Sequence, residues 1–376
     1  MKKLLRLACA IAFLLFAFLW LFRFQADVLA ALQHVMSKGL TSYNPLVGAI
    51  TITVILMLLQ LLVYRAFRLD NRGHALTYFP SMLALGLVSA VSTDVAQTFA
   101  WGFWWLLVLL VLAGWVGLCL VVKYIQNVEP KRRSRTHPLF SRPMWINMLL
   151  MLLMMLGVAA IANTNAVFHY RMRAETCLLK GDYEGALNVG WESLESDVHL
   201  QMIRMYAMAR RGELGERLFH YPIVGGSQVM LPTSGEARFV RYPVDSLYHA
   251  FRARPAHKML PTTYLKAVNH GEMVRDYELC GLLIDRRLDD FVTRLQHHYA
   301  FGDSLSADSL PIHYREALTL YSRSRRNPVM VYRNPVMEED YRNLLELESK
   351  YPDATERKGK VEDWYGNTYW YYYKYR

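Results

Sequence analysis

Long stretches without any charged residue constrain this chain more than any other feature of its sequence. Four such stretches are present, and a fifth apolar run follows Arg6 near the start of the chain. The predicted spans cover about residues 5–22, 46–64, 75–93, 100–122 and 144–163. Because roughly 20 apolar residues in a helix cross the ~30 Å core of a bilayer, the pattern predicts about five transmembrane helices. The stretch 75–93 fits least well, since serines dilute it and Pro80 lies near its first turn.

Positive charge is concentrated in the first 163 residues. This part holds 14 Lys and Arg residues against four acids, a net charge of +10, whereas residues 164–376 contribute +1 to the total of +11. The basic residues cluster before the first predicted helix, after the second and after the fourth. Because basic loops mark the cytoplasmic side of a membrane, five helices place the amino terminus inside and residues 164–376 outside. The near-neutral outer part gives no support to nucleic-acid binding.

Segments that flank the predicted spans carry three further predictions. The basic start and long apolar run of the first helix favour an uncleaved signal anchor, and a cleaved signal peptide is the alternative. Apolar residues at three- and four-residue spacing over about 24–37 predict a short amphipathic helix on the outer membrane surface. The basic cluster Arg132–Arg135 is explained as a topology signal, and binding of anionic lipid heads is the alternative.

Residues 164–376 are predicted to form a mostly helical domain. Its first helix pair resembles a tetratricopeptide repeat, with Gly181 and Tyr183 at the turn and Ala186 on the second helix. A second turn at Gly212 follows 31 residues after Gly181, whereas the motif repeats every ~34 residues. The resemblance implies helix pairs that stack into a surface suited to protein docking.

Three segments carry a wider resemblance to a known group of proteins. They are Leu214–Pro222, His313–Leu318 and Thr368–Tyr372. Through them the chain resembles an uncharacterised family of membrane proteins from Bacteroidetes-type bacteria. That resemblance implies a bacterial inner-membrane location with a periplasmic carboxy-terminal domain, and it transfers no activity.

The sequence contains no motif that points to a particular reaction. Both a Gly-x-Ser-x-Gly elbow and a phosphate-binding Gly-Lys-Thr/Ser loop are absent from it. The adjacent histidines His297 and His298 would point about 100° apart on a helix, so they do not suit one metal ion. Cys177 and Cys280 are expected to be free thiols, and a disulfide between them is the alternative. No catalytic residue, cofactor or metal is therefore predicted.

Aromatic residues crowd the last part of the chain. The partner-binding candidates are Trp364, Tyr365, Tyr369, Trp370, Tyr371 and Tyr372. Such residues anchor protein interfaces and also favour the membrane–water boundary. The alternative is that this tail folds back on its own domain or on the bilayer surface. Nearby, the run Arg-Asn-Pro-Val-Met occurs at Arg326–Met330 and again at Arg333–Met337, which predicts two similar turns or, alternatively, a repeated docking edge.

These patterns favour a membrane-anchored periplasmic scaffold or assembly factor that binds protein partners through a helical-repeat-like domain. The expected partners are membrane lipid and one or more proteins of the periplasm or membrane, and nucleic acid is not expected. The alternative function is an enzyme or enzyme subunit that acts on lipid-linked or surface glycans at the outer face of the inner membrane. A sensor has the least support, because no cytosolic output domain is predicted.

Overall fold

Helices connected by irregular segments make up the described part of the computed structural model. It describes residues 2–71, 73–94, 104–128, 141–232, 235–251, 271–299 and 309–376. No strand occurs among these residues, and this confirms the prediction of a helical chain. The chain divides into two compact units, Met1–Met172 (unit 1) and Arg173–Arg376 (unit 2).

Among the described residues of unit 1, four helices are long and apolar enough to cross a membrane. They are α1 (Lys2–Leu19, continued by a π-helical turn, Trp20–Phe24), α3 (Pro45–Phe67), α5 (Trp104–Val128) and α6 (Arg142–Ile161). Each coincides with one predicted span. The start of α3 shows how local sequence fixes a boundary: the Asn44 side chain accepts the N–H groups of Leu46 and Val47, and Pro45 occupies the first turn.

A shorter helix, α2 (Ala26–Met36), lies between α1 and α3 in the chain. It falls within the region where the sequence predicts an amphipathic helix. Val28 and Leu29 are buried in unit 1, whereas Met36 is exposed. The location of this helix at a membrane surface stays a prediction.

The predicted fifth span over 75–93 differs from the structure. A 3-10 helix (His74–Tyr78) is followed by α4 (Phe79–Ser89), which has 11 residues. At ~1.5 Å per residue α4 is about 16 Å long, roughly half of a bilayer core. Pro80 offers no N–H to the preceding turn and occupies the first turn of α4, so one continuous helix is the wrong description of this segment.

The broken segment 74–91 nevertheless runs beside α6 along almost its full length. Near the start of α6, the Asn147 side chain accepts the N–H of Ala75 at 2.6 Å. Just beyond the end of α6, the N–H of Asn163 donates to the carbonyl of Ser89 at 2.9 Å. The segment therefore covers the same distance along unit 1 as residues 147–163. We refer to the two ends of unit 1 as the Asn147 end and the Asn163 end.

Close packing holds α4 against its neighbours between these ends. A Cβ atom built on Gly86 would lie 3.3 Å from Cβ of Ile161, so glycine permits α4 and α6 to approach each other closely. On the other side, the Ser81 hydroxyl donates to the carbonyl of Leu56 on α3 at 2.8 Å. A buried hydroxyl thus finds its partner on a neighbouring helix, as polar groups between apolar helices must.

The termini of other helices meet at the same two ends. Asp70 follows α3 and donates its N–H to the Gln126 side chain near the end of α5 at 3.0 Å. Its neighbour Asn71 accepts the Asn147 amide at 2.6 Å, so these termini lie at the Asn147 end. Trp20, just after α1, donates its indole N–H to the Ser89 hydroxyl at 3.0 Å and lies at the Asn163 end.

Unit 2 is built from shorter helices. They are α7 (Ala166–Leu179, which begins in unit 1), α8 (Tyr183–Asn188), α9 (Val198–Arg211), α10 (Leu214–Arg217), α11 (Val244–Ala250), α12 (Glu272–Ile284), α13 (Leu288–His298), α14 (Ile312–Ser324), α15 (Pro335–Lys350), α16 (Ala354–Tyr365) and α17 (Tyr369–Tyr375). The core centres on α9 and α12, which are buried over most of their length. Around them α8 packs on α9, α13 on α12, and α17 on α14 and α16.

The first four of these helices form two pairs at the positions that resemble tetratricopeptide repeats. The pairs turn at Gly181 and Gly212, whose φ angles of +73° and +72° favour glycine. However, α8 has six residues and α10 has four, with a 3-10 turn to His220 after α10. These second helices are short for a ~34-residue helix–turn–helix unit. The repeat interpretation therefore stays a prediction.

Candidate functional site

The aromatic residues near the end of the chain form α17, which packs into unit 2. The carboxylate of Glu316 on α14 accepts the N–H of Tyr369 at 2.7 Å. The backbone carbonyl of Glu316 accepts the indole N–H of Trp370, also at 2.7 Å. On the other side of α17, the Tyr372 hydroxyl donates to the carbonyl of Ile284 at 2.8 Å. Hydrogen bonds to two core helices therefore fix α17 in place.

The six partner-binding candidates fall into two groups. The side chains of Tyr369, Trp370, Tyr371 and Tyr372 are buried in unit 2, so this part of the tail folds back on its own domain. Trp364 is 78 % exposed, and Tyr365 is half-buried with its hydroxyl donating to the carbonyl of Asp340 at 3.3 Å. A partner can therefore contact Trp364 and the outer edge of Tyr365, but the four buried rings are not accessible to it.

Exposed apolar side chains occur before α15, in the first turn of α15 and in the last turn of α16. Val329, Val331 and Val336 are 76 %, 58 % and 68 % exposed. The hydrogen bond from Tyr365 to the carbonyl of Asp340 brings the last turn of α16 beside the second turn of α15, one turn beyond Val336. We call Val329, Val331, Val336 and Trp364 the valine–tryptophan surface. Single exposed apolar residues are common in soluble proteins, whereas a group of them marks an interaction site.

The backbone that carries these valines is fixed to α14. The N–H of Val329 donates to the Tyr321 hydroxyl at 3.2 Å, and the N–H of Tyr332 donates to the Ser322 hydroxyl at 3.0 Å. The Tyr332 side chain is buried although Val331 beside it is exposed. The backbone of the segment is thus anchored at residues 329 and 332, and the valine side chains project away from the core.

Arginines flank the exposed valines. Arg326 and Arg333 open the two Arg-Asn-Pro-Val-Met runs, and both are exposed. Within the described part of the chain, no carboxylate forms an ion pair with either of them, whereas the adjacent Arg325 holds Asp289 at 2.7 Å. Each run therefore presents one exposed arginine and one exposed valine, and this repeats the same surface chemistry twice.

The four residues of the predicted repeat turns lie elsewhere. Gly181 and Gly212 form the turns described above, and Ala186 is fully buried. The ring of Tyr183 lies 4.9 Å from the guanidinium carbon of Arg210. These residues shape unit 2 around α9, and Tyr183 also helps to position Arg210 beside a cleft.

This polar cleft opens between α9 and α11 and has a volume of about 630 Å³. The side chains that line it are mostly polar: Arg210, Tyr242, Asp245, Ser246 and His249, with Ala250. Arg210 donates to the Tyr206 hydroxyl at 3.1 Å, and the hydroxyls of Tyr206 and Tyr242 lie 2.9 Å apart. Burial, followed by this hydrogen bond, raises the pKa of Tyr242, so its hydroxyl stays neutral. Donors and acceptors converge here as in sites for small polar ligands.

The remaining candidates for chemistry are held in structural contacts. Among the residues that the structure describes, no group of three or more His, Cys, Asp or Glu side chains could hold a metal ion. His298 lies 2.9 Å from the Glu278 carboxylate. Cys177 and Cys280 carry separate thiols. Burial raises the pKa of the Cys280 thiol, which makes it a poor nucleophile.

Neither the exposed valines nor Arg210 is among the site residues that the sequence predicts. For the valines a signal exists, because the same five-residue run occurs twice and each copy carries a valine among polar residues. Arg210 has no comparable signal. The pair of tyrosines that orders its surroundings, Tyr206 and Tyr242, is 36 residues apart and meets only in the fold.

Comparison with known proteins finds a family match over part of the chain. Residues 235–376 match a family described as a family of unknown function, DUF6057. No curated protein and no solved structure matches the chain. This agrees with the resemblance to an uncharacterised family. The matched residues include the valine–tryptophan surface and one wall of the polar cleft, whereas Arg210 and unit 1 lie outside the match.

Proposed function

We propose that this chain is a membrane-anchored scaffold or assembly factor that docks a protein partner on the valine–tryptophan surface. The observation that carries the proposal is the exposure of Val329, Val331 and Val336 on a backbone fixed to α14. Apolar side chains on an ordered backbone lose little conformational entropy on binding. Trp364 adds the aromatic side chain that most often supplies binding energy at protein interfaces.

The charges around the surface define the chemistry of the partner. Arg326 and Arg333 leave two exposed guanidinium groups beside the valines. Guanidinium groups form their strongest hydrogen bonds with carboxylates. We therefore expect the docking segment of the partner to carry apolar side chains flanked by Asp or Glu.

Membrane insertion with five crossings is the second part of this proposal. The 3-10 helix and α4 together rise about 26 Å, close to the ~30 Å of a bilayer core. Support comes from the contacts of Ala75 and Ser89 with the two ends of α6, because the broken segment then crosses wherever α6 crosses. The described basic residues Arg65, Arg68 and Lys123 lie near the ends of α3 and α5 at the Asn147 end. On this basis the amino terminus lies in the cytoplasm of a bacterium, unit 1 in its inner membrane and unit 2 in the periplasm.

Site-specific photocrosslinking of the full-length protein in cells tests the docking surface. A benzoylphenylalanine placed at Val331 should capture a specific partner, which is then identified by mass spectrometry. The matched control is the same probe at Leu194, which is also a highly exposed apolar residue of unit 2 but lies outside the surface. Introducing Val329→Asp and Val336→Asp together should abolish the crosslink, because two new carboxylates repel an acidic partner and remove its apolar contacts.

Two results would overturn the docking proposal. One is the absence of any crosslinked protein at position 331 when expression and membrane insertion match those of the unmodified chain. The other is a crosslinked protein that is captured equally at position 194 and is insensitive to the two aspartates. In either case the exposed valines would carry no specific partner.

The polar cleft favours a second candidate function, an enzyme or enzyme subunit that acts on lipid-linked or surface glycans. Arg210, Asp245 and His249 offer the mixed donors and acceptors that a sugar requires, although no reaction is assigned to them. Titration calorimetry of the detergent-solubilised full chain with acidic and neutral oligosaccharides tests this. The glycan function would be favoured over the scaffold if the wild-type chain binds a glycan, Arg210→Ala abolishes this binding and Val329→Asp leaves it intact.

A further inference from the structure

Unit 1 contains an apolar groove between α4, α5 and α6. Its volume is about 500 Å³, within the range of sites that bind small molecules. Every side chain that lines it is apolar, with α4 contributing Leu87, α5 contributing Leu107 and Val111, and α6 contributing Met154 and Ile161. We call this cavity the α4–α6 groove.

The groove exists because α5 is fixed to the rest of unit 1 from Trp115, near its midpoint, onward. The indole N–H of Trp115 donates to the carbonyl of Leu76 at 3.0 Å, and its ring stacks on Phe79 at 6.1 Å. Gln126 bonds Asp70 farther along α5. The turns of α5 before Trp115 supply groove wall instead. Helices α4 and α6 are in close contact at Gly86, so no space remains between these two helices there. The groove therefore lies between this helix pair and α5.

We propose that the α4–α6 groove holds one acyl chain of a membrane lipid. Helices α5 and α6 have the length and composition of membrane spans, so lipid hydrocarbon surrounds them in a bilayer. An empty groove would forfeit dispersion contacts along its walls. Water does not fill it, because water needs two or more polar partners and the lining offers none. An acyl chain fits both the apolar lining and the supply of ligand.

The groove runs along most of the length of unit 1. On α6 it extends from Leu150 to Ile161, about 16 Å at ~1.5 Å per residue, and the facing wall runs from Leu76 to Leu87. Leu76 follows Ala75 at the Asn147 end, and Ile161 lies near the Asn163 end, so the groove suits an extended acyl chain. The inference rests on the bilayer placement of unit 1 and is independent of partner docking by unit 2.

Native mass spectrometry of the full chain in mild detergent tests this inference, with Gly157→Phe as the variant that fills the groove. Gly157 lines the groove, and a Cβ built on it would meet no atom within 4 Å, so a larger side chain has room to enter. The control is Gly117→Phe, because Gly117 on α5 is equally open but does not line the groove. Wild type and Gly117→Phe should retain about one lipid per chain, and Gly157→Phe should retain almost none.

A second pair of variants keeps the test decisive if Gly157→Phe fails to fold. Leu107→Trp fills the groove from α5, whereas Leu109→Trp alters an equally exposed position outside it. The proposal would be overturned if wild-type protein retains no lipid. It would also be overturned if both groove-filling variants retain the lipid that wild type retains. The mass of the retained molecule separates a phospholipid from a free fatty acid. Crosslinking at Val331 should persist in Gly157→Phe, so failure of this inference differs from failure of the docking proposal.

Discussion

The carboxylate of Glu316 accepts the backbone N–H of Tyr369 at 2.7 Å, and this bond attaches the start of α17 to α14. The same carboxylate lies 2.9 Å from Nδ1 of His313. Both Glu316 and Tyr369 are buried, so the carboxylate is satisfied by protein groups at the centre of unit 2. One acidic side chain therefore links the aromatic end of the chain to the core.

Replacing Glu316 with alanine should destabilise unit 2 by on the order of 3 kcal/mol, because the N–H of Tyr369 and the ring of His313 lose a buried charged partner. Chemical denaturation of the purified full chain, followed by tyrosine and tryptophan fluorescence, measures the loss. Glu346→Ala on α15 is the matched control, since that glutamate is exposed. Equal stability of the two variants would show that α17 is held by its aromatic packing alone.

Asp276 should make the stability of unit 2 depend on pH. Burial raises the pKa of this carboxyl to about 6, and the Tyr314 hydroxyl donates to it at 3.1 Å. Because the folded pKa lies above the unfolded value of 3.8, the folded state binds more protons between these values. The free energy of unfolding should therefore fall as pH rises from about 4 to 6, by on the order of 3 kcal/mol, and this contribution stays constant above.

Asp276→Asn isolates this effect, since the amide oxygen still accepts from Tyr314 but no longer titrates. The variant should lose most of the decline between pH 4 and 6 and should be more stable than wild type at pH 7.5. Unfolding titrations at five pH values measure both. Asp363→Asn serves as the control, because that carboxylate is exposed and pairs with Lys360 on the surface. An unchanged pH profile in Asp276→Asn would contradict the prediction.

Four of the five apolar segments could be predicted from sequence because length and composition decide whether a helix can span a bilayer. The segment 75–93 could not. Its apolar content suits a span, but its geometry depends on Pro80 and on two distant hydrogen bonds. Asn147 accepts from Ala75 and Asn163 donates to Val91, and each pair is 72 residues apart. Such distant partners leave no periodic signal.

In unit 2, sequence alone likewise could not decide whether the aromatic tail is buried or exposed. Tyrosine and tryptophan near a chain end are equally compatible with a core and with an interface, since both bury aromatic rings. The burial of the tail depends on two hydrogen bonds to distant residues: Tyr369 bonds Glu316, 53 residues away, and Tyr372 bonds Ile284, 88 residues away. Conversely, Val329 and Val336 would be assigned to a core by hydrophobicity, but their neighbours Tyr332 and Met337 take the buried positions.

Asn147→Leu should loosen the Asn147 end of unit 1. The asparagine accepts the N–H of Ala75 and donates to the carbonyls of Asn71 and Pro143, at 2.6, 2.6 and 2.7 Å. Leucine leaves the Ala75 N–H without a partner, so we expect the free energy of unfolding to fall by about 2 kcal/mol. Unfolding in mixed micelles followed by tryptophan fluorescence gives the value. Leu149→Ala, at an exposed position of α6, should change it by less.

Cysteine labelling determines whether the broken segment crosses the membrane. In a Cys177→Ser background, Thr93→Cys follows α4 at the Asn163 end, and Val128→Cys ends α5 at the Asn147 end; both positions are exposed. If segment 74–91 crosses beside α6, a membrane-impermeant maleimide added to cells with a permeable outer membrane should label Thr93→Cys at once. Val128→Cys should react only after the inner membrane is opened. Labelling of both positions from the same side would contradict the five-crossing topology, because α4 would then return to the side from which it entered.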